Sequence, residues 1–457
     1  MHDEVKARLC RDIPAVSKVL DALGHYDLPR SLIVDVVRRE LAKVRAKLET
    51  PEFESIVDLV RSSIERLSAS RLQPVINGTG IVIHTNFGRA PLAPEAIRAL
   101  SEIGPAYSNL EYDVRTGERG RRATYIENAL ALLCGAEATA VVNNCAAALV
   151  LIVRHFATNE FEVVISRGEM VQIGGGFRIS EIIQAAGAKL HEIGATNKTT
   201  LDDYEEAVGP NTALILRVHR SNFFMSGFVE SPPSAELAAI ARKKRVPFVE
   251  DLGSGAVVAT EQFGIAEHEP TPAEALKAGA DLVCFSGDKL FGGPQAGIIA
   301  GKKRFTSALK REPLFRALRC DKLILSALQA TIDLHLNQST SEIPVLALLG
   351  ISDDELRNRA AAMSDRLSDL PLQIAIGRSI ARVGGGTLPK STVSSVTIEI
   401  VPTHCSPAVF AARLRSATPS VIGYIANDRF KLDVRTILPH QDNLVVDAIC
   451  NACAKIC

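Results

Sequence analysis

The chain has 457 residues, and 47% hydrophobic against 23% charged residues is the composition of a globular protein long enough for two or three domains. Lys plus Arg equals Asp plus Glu at 52 each, so no global field draws the chain toward nucleic acid or membrane, and any anion site must be local. Nine cysteines without framework spacing fit reduced thiols in a cytosol; "MHDEVKARLCRD" carries charge where a signal peptide needs an apolar core, and no apolar run approaches the ~20 residues of a membrane span, so the expected localisation is cytoplasmic.

Residues 1–70 show no strand pattern. Ile33, Val37, Leu41, Val44 and Leu48 recur at helical spacing, as do Phe53, Ile56, Val60, Ile64 and Leu67, which predicts a small helical domain. On the helix expected from Ser31 to Leu48, Arg39, Lys43 and Lys47 line the face opposite the apolar stripe, flanked by Arg38 and Arg45. Such a ridge can contact phosphates or can simply be a solvated helix face.

From about residue 71 to 335, apolar runs alternate with helical patterns: "TAVVNN", "FEVVIS", "KLHEIG", "TALILRVH", "VPFVEDLG", "DLVCFSG" and "AGIIAG". The alternation predicts an α/β domain with a mostly parallel, helix-covered sheet. Over residues 336–457, "STVSSVTIEI" and "VIGYIANDRFKLDVRTI", with Asn427-Asp428 as a turn, predict antiparallel strands in a smaller α+β domain. Cys450 and Cys453 form a CxxC with Cys457 beyond it, but no second pair accompanies them; "VVDAICNACAKIC" reads as a terminal helix, and no metal is expected.

In an open parallel sheet, ligands bind beyond the carboxyl ends of the strands. "VVNNCAAAL" passes there from strand to helix through Asn144 and Cys145, where free amides and the helix dipole can hold a phosphate. "VPFVEDLGSG" ends a strand at Asp251, and "FSGDKLFGGPQAG" places Lys289 at a strand end with Ser286 three residues before it. Singly, these are a helix cap, a turn acid, a solvated lysine and a strand-end hydroxyl. Jointly they are the parts that pyridoxal 5'-phosphate needs: a phosphate cradle, a carboxylate that keeps the pyridine nitrogen protonated, and a lysine that bonds the aldehyde.

Several long stretches carry a resemblance: "VINGTGIVIHTNFGRAPL", "YSNLEYDVRTGERGRR", "SRGEMVQIGGGFRI", "VEDLGSGA", "FSGDKLFGGPQAG", "PLFRALRCDKL" and "VIGYI". Together they resemble the bacterial selenocysteine synthase family, the L-seryl-tRNA(Sec) selenium transferases, across nearly the whole chain. Cys145 stands where the family pattern has a third asparagine. The resemblance implies a fold-type-I pyridoxal-phosphate enzyme that converts seryl-tRNA(Sec) to selenocysteinyl-tRNA(Sec) through an aminoacrylyl-tRNA. It further implies selenophosphate as donor, a homodecamer built as a pentamer of dimers, and a tRNA-recognising N-terminal domain. By resemblance Lys289 is the cofactor lysine. As general base it takes the substrate's Cα proton, and Asp288 is one candidate for protonating the leaving hydroxide, a bridging water the other. A polyanionic donor calls for arginine forks, for which Arg89, Arg119, Arg316 and Arg319 lie in matched motifs. Two other readings stay open at this level: a pyridoxal-phosphate lyase acting on a small amino acid or amino sugar acid, and a non-catalytic RNA-binding scaffold.

Overall fold

The structure is a computed structural model that describes residues 13–46, 51–157, 161–172, 176 and 178–454. By its contacts the chain divides into two units, Met1–Pro74 and Val75–Cys457.

The N-terminal unit is helical. Its helices Val16–Leu23, Arg30–Ala46 and Phe53–Ala69 pack around Val19, Val37, Leu41, Val60 and Ile64, which are fully buried. Val37, Leu41 and Val44 face inward as their spacing requires, whereas Ile33 is only half-buried; Leu48 lies outside the described residues. A charged residue shares that inward face. Glu40 is buried and accepts hydrogen bonds from Lys43 at 2.9 Å and Ser63 at 3.1 Å.

The second unit is organised by a seven-stranded sheet, and each of the seven apolar runs quoted above forms one of its strands. Across the sheet the order is Ala138–Val142, Gly297–Gly301, Leu282–Ser286, Phe248–Gly253, Thr212–Val218, Glu162–Ser166 and Lys189–Ile193. Only Gly297–Gly301 runs against its neighbours; the other pairings are parallel. Strands such as Leu282–Ser286 and Gly297–Gly301 are buried along their whole length because helices cover both faces, which is why they read as continuous apolar runs and not as alternation.

The smaller α+β part carries a five-stranded sheet in which Leu372–Gly384 and Thr387–Pro402 form a long antiparallel hairpin. Tyr424–Ala426 and Arg429–Asp433 pair antiparallel across Asn427 and Asp428, both left-handed at φ 54°, the pairing that a two-residue turn with positive φ at both positions favours. One placement differs from the sequence-based division. Ile81–Ile83 joins this sheet through Leu372–Gly384, and Val75–Asn77 pairs with Ser420–Ile422, so residues 75–83 belong to sheets of the C-terminal part and not to the large sheet. Pairings across 301 residues (382 − 81) and 345 residues (420 − 75) leave no local sequence signal.

Candidate active site

The carboxyl ends of the central strands bring Lys289, Asp251 and Cys145 together. Asp251 stands near the end of Phe248–Gly253 with 9% of its surface exposed, and Cys284 is its register partner on the adjacent parallel strand. Cys145, the first residue of the helix Cys145–Phe156, donates from Sγ to Asp251 Oδ1 at 3.4 Å. Burial pushes the Asp251 carboxyl up, against the pull of the Cys145 thiol and of the Lys289 charge.

Lys289 sits in the turn after Leu282–Ser286. Burial holds its amine below the usual lysine range; Cys145 and Asp251 oppose this, while Arg89 adds to it. A lysine so desolvated is neutral more often at working pH and is therefore a better nucleophile and base. Two glycines keep the space around it open. A Cβ at Gly253, whose φ is +66°, would stand 3.9 Å from Lys289 Nζ and 4.0 Å from Asp251 Oδ1. Another at Gly386, in the loop of the long hairpin, would stand 3.8 Å from Nζ.

Asn144 acts as the helix cap. Its Oδ1 accepts from the Ala147 amide at 2.8 Å and its carbonyl accepts from the Ala148 amide, which leaves the Cys145 and Ala146 N–H groups at the open end of a 12-residue helix. That end can hold a phosphate. Ser286 is buried at the end of its strand.

These residues fit pyridoxal phosphate. A buried carboxylate lined by the weak thiol donors of Cys145 and Cys284 and by the Gly253 amide suits a pyridinium nitrogen, Lys289 suits the aldehyde, the helix end suits the phosphate, and Gly253 clears room for a flat ring.

Asp288 lies one residue from the lysine and is buried; its Oδ2 accepts from Arg89 Nη1 at 2.7 Å, while Oδ1 is buried without a partner among the described residues. Arg89 holds φ 67°, directly after Gly88 at 84°, and Ala90 N donates to the Asp288 carbonyl at 3.2 Å. A non-glycine residue in the left-handed region is disfavoured by about 1–3 kcal/mol, and such strain is concentrated at functional sites.

Arg119 and Arg319 gather at another carboxylate. Glu111 accepts from Arg119 at 3.0 Å, from Arg122 at 3.0 Å and from Arg319 at 3.4 Å, and these guanidinium donors hold its carboxyl below the usual range. The segment of Arg316 and Arg319 is tied to the sheet end by the Asn143 amide, which donates to the Leu318 carbonyl at 3.0 Å. Arg316 is exposed and has no ion pair among the described residues. In the N-terminal unit Arg39 is exposed and pairs with Asp35 at 3.0 Å, and Lys43 is engaged by Glu40; Lys47 lies outside the described residues. Sequence reasoning missed Cys284, Gly386, Glu111 and Glu40. Cys284 stands within a quoted strand, two residues before its end, but only the register shows that it faces Asp251.

The comparisons with known proteins give the same reading. The model of the L-seryl-tRNA selenium transferase family matches residues 75–438. The chain belongs to that family. It is 42% identical to the L-seryl-tRNA(Sec) selenium transferase of Carboxydothermus hydrogenoformans over 95% of this chain and 96% of that one, and 41% identical to that of Aquifex aeolicus over 95% and 96%. Among solved structures, D-glucosaminate-6-phosphate ammonia-lyase superposes with a TM-score of 0.59 at 19% identity, covering 86% of this chain and 98% of that one. The fold is that of the fold-type-I pyridoxal-phosphate enzymes, and pyridoxal phosphate is the cofactor of this family.

Proposed function

We propose that the chain converts L-seryl-tRNA(Sec) to L-selenocysteinyl-tRNA(Sec) with pyridoxal phosphate, taking selenium from selenophosphate. The observation that carries this reading is the convergence of Lys289 and Asp251 at one sheet end in a chain that belongs to the selenium transferase family.

When bound, the cofactor supplies an electron sink that stabilises negative charge at the serine Cα. The chain's residues supply the rest. Lys289 would bond the cofactor, and its desolvated Nζ would take the Cα proton. Asp251 would hold the pyridine nitrogen in its charged form, with Cys145 fixing one carboxylate oxygen. Asp288, paired with Arg89 through Oδ2, has Oδ1 available to accept from and orient the serine hydroxyl. The proton that hydroxide needs on leaving would come from the Lys289 ammonium or a water. In this reading Asp288 orients the hydroxyl as an acceptor in place of the acid role expected of it.

Arg89, Arg119, Arg316 and Arg319 remain the cations for the selenium donor, with exposed Arg316 the one of the four that has no ion pair among the described residues. The N-terminal unit would read the tRNA through Arg39, Lys43 and Lys47. The chain would self-associate, as a homodecamer by family resemblance, consistent with the exposed apolar side chains Tyr107, Val114, Tyr125 and Leu132 on one segment. No helix among the described residues is long and apolar enough to cross a membrane, and we place the protein in the cytoplasm. The test is incubation of the purified chain with seryl-tRNA(Sec) and selenophosphate, followed by identification of the aminoacyl group. Selenocysteine is the expected product; unchanged serine, with turnover of a small amino acid instead, would overturn the reading.

A further inference from the structure

Three soft or anionic donors converge at the sheet end beside Lys289. Cys145 Sγ, Cys284 Sγ and an Asp251 carboxylate oxygen all lie within 4.8 Å of one another. Each comes from a different rigid element: the first turn of the helix Cys145–Phe156, the strand Leu282–Ser286, and the strand Phe248–Gly253. Register pairs Cys284 with Asp251, so both side chains leave the sheet on the face that the helix covers. The backbone thus sets all three short side chains toward one point.

A tetrahedral ion with metal–sulfur bonds of ~2.3 Å and a metal–oxygen bond of ~2.1 Å holds such donors roughly 3.5–3.8 Å apart. The Cys145–Asp251 separation is already 3.4 Å. Two thiolates with one carboxylate select zinc or cadmium over magnesium or calcium. Cys284 and Asp251 are buried, while Cys145 is half-buried, so Cys145 is the most exposed of the three donors. Nothing in the proposed reaction uses Cys284.

We propose that Cys145, Cys284 and Asp251 form a binding site for one thiophilic divalent cation, open only while Asp251 is not engaged by the cofactor's pyridine nitrogen. Binding displaces the two thiol protons to solvent, leaves two thiolates and a carboxylate on the ion, and takes water as the fourth ligand. The cation and the cofactor therefore exclude each other, because both need the same carboxylate. The exclusion, though not the donor geometry, rests on the cofactor reading above.

The test uses the full chain, stripped of cofactor or saturated with it, in a thiol-free reductant, titrated with Cd²⁺ and followed by thiolate-to-cadmium absorbance and by metal content after desalting. The stripped chain is expected to hold one Cd²⁺ and the saturated chain at least tenfold less. Cys284→Ala should lose that cadmium yet still take up pyridoxal phosphate, which shows that the variant is folded; Cys145→Ser should weaken it. Absence of stoichiometric cadmium, equal cadmium in the saturated chain, or full retention in Cys284→Ala would overturn the proposal. A chain that binds cadmium at this site but takes up no pyridoxal phosphate overturns the cofactor reading and leaves the metal site standing.

Discussion

Arg89 Nη1 and Asp288 Oδ2 stand 2.7 Å apart, joining a left-handed loop residue to the carboxylate next to Lys289. The pair fixes the peptide that carries the lysine, and the Ala90 amide on the Asp288 carbonyl adds a second tie. Arg89→Ala should leave Asp288 buried with neither oxygen paired, which costs about 1–3 kcal/mol. Arg89→Ala combined with Asp288→Asn should recover most of that stability in chemical denaturation while turnover stays low. Full recovery of turnover in the double variant would show the pair to be structural.

Asp251→Asn keeps the shape of the site and removes the full charge beside the pyridine nitrogen. The cofactor should still be taken up, and turnover should fall about 100-fold or more, the scale of removing one preorganised electrostatic contact. Cofactor absorbance and single-turnover rate, measured on one preparation, separate binding from chemistry. Near wild-type turnover would take Asp251 out of this role.

Glu169 gives the fold a pH signature. Burial lifts its carboxyl to about 7, against the Arg217 guanidinium and the Val218 amide, and Glu250 adds to the rise. The unfolded chain titrates this group at 4.5, so between 4.5 and about 7 the folded state binds the extra proton. Stability from this group is fully present below the lower value and is lost as pH rises through the upper one, by up to about 3 kcal/mol. Melting temperature should therefore fall from pH 5 to pH 7.5, and Glu169→Gln should flatten that slope. A slope unchanged in the variant would assign it to other groups.

The N-terminal unit can be tested without disturbing its core. Arg39 is exposed, but Lys43 satisfies buried Glu40, so truncating Lys43 to alanine would damage the helix packing as well as any phosphate contact. Arg39→Ala with Lys43→Gln keeps a donor for Glu40. The pair should weaken binding of seryl-tRNA(Sec) and reduce the dependence of log affinity on log salt by roughly one per lost phosphate contact. Unchanged affinity and slope would move the tRNA surface elsewhere.

What the sequence discloses is set by range. The seven strands are legible because each is a local apolar run, and Asn144, Asp251 and Lys289 are legible because each ends such a run before a helix or loop. Strand order is not legible, nor is the Gly386 loop, which reaches Lys289 from 97 residues away (386 − 289). Glu111 shows the same limit. Four arginines within "RTGERGRR" look like one surface patch, yet Arg119 and Arg122 share Glu111 with Arg319, contacts of 8, 11 and 208 residues. Cys145 marks the remaining difficulty: a departure from the family pattern reads as a lost contact until the structure puts its thiol on Asp251.

Lys289 is the residue on which the proposed chemistry depends. Borohydride reduction of the cofactor-loaded chain, followed by peptide mapping, should place the pyridoxyl group on the peptide "FSGDKLFGGPQAG" at Lys289. In Lys289→Ala the visible absorbance of the lysine-bound cofactor and all turnover should disappear. A pyridoxyl group found on any other lysine, with turnover retained in Lys289→Ala, would contradict the site as described.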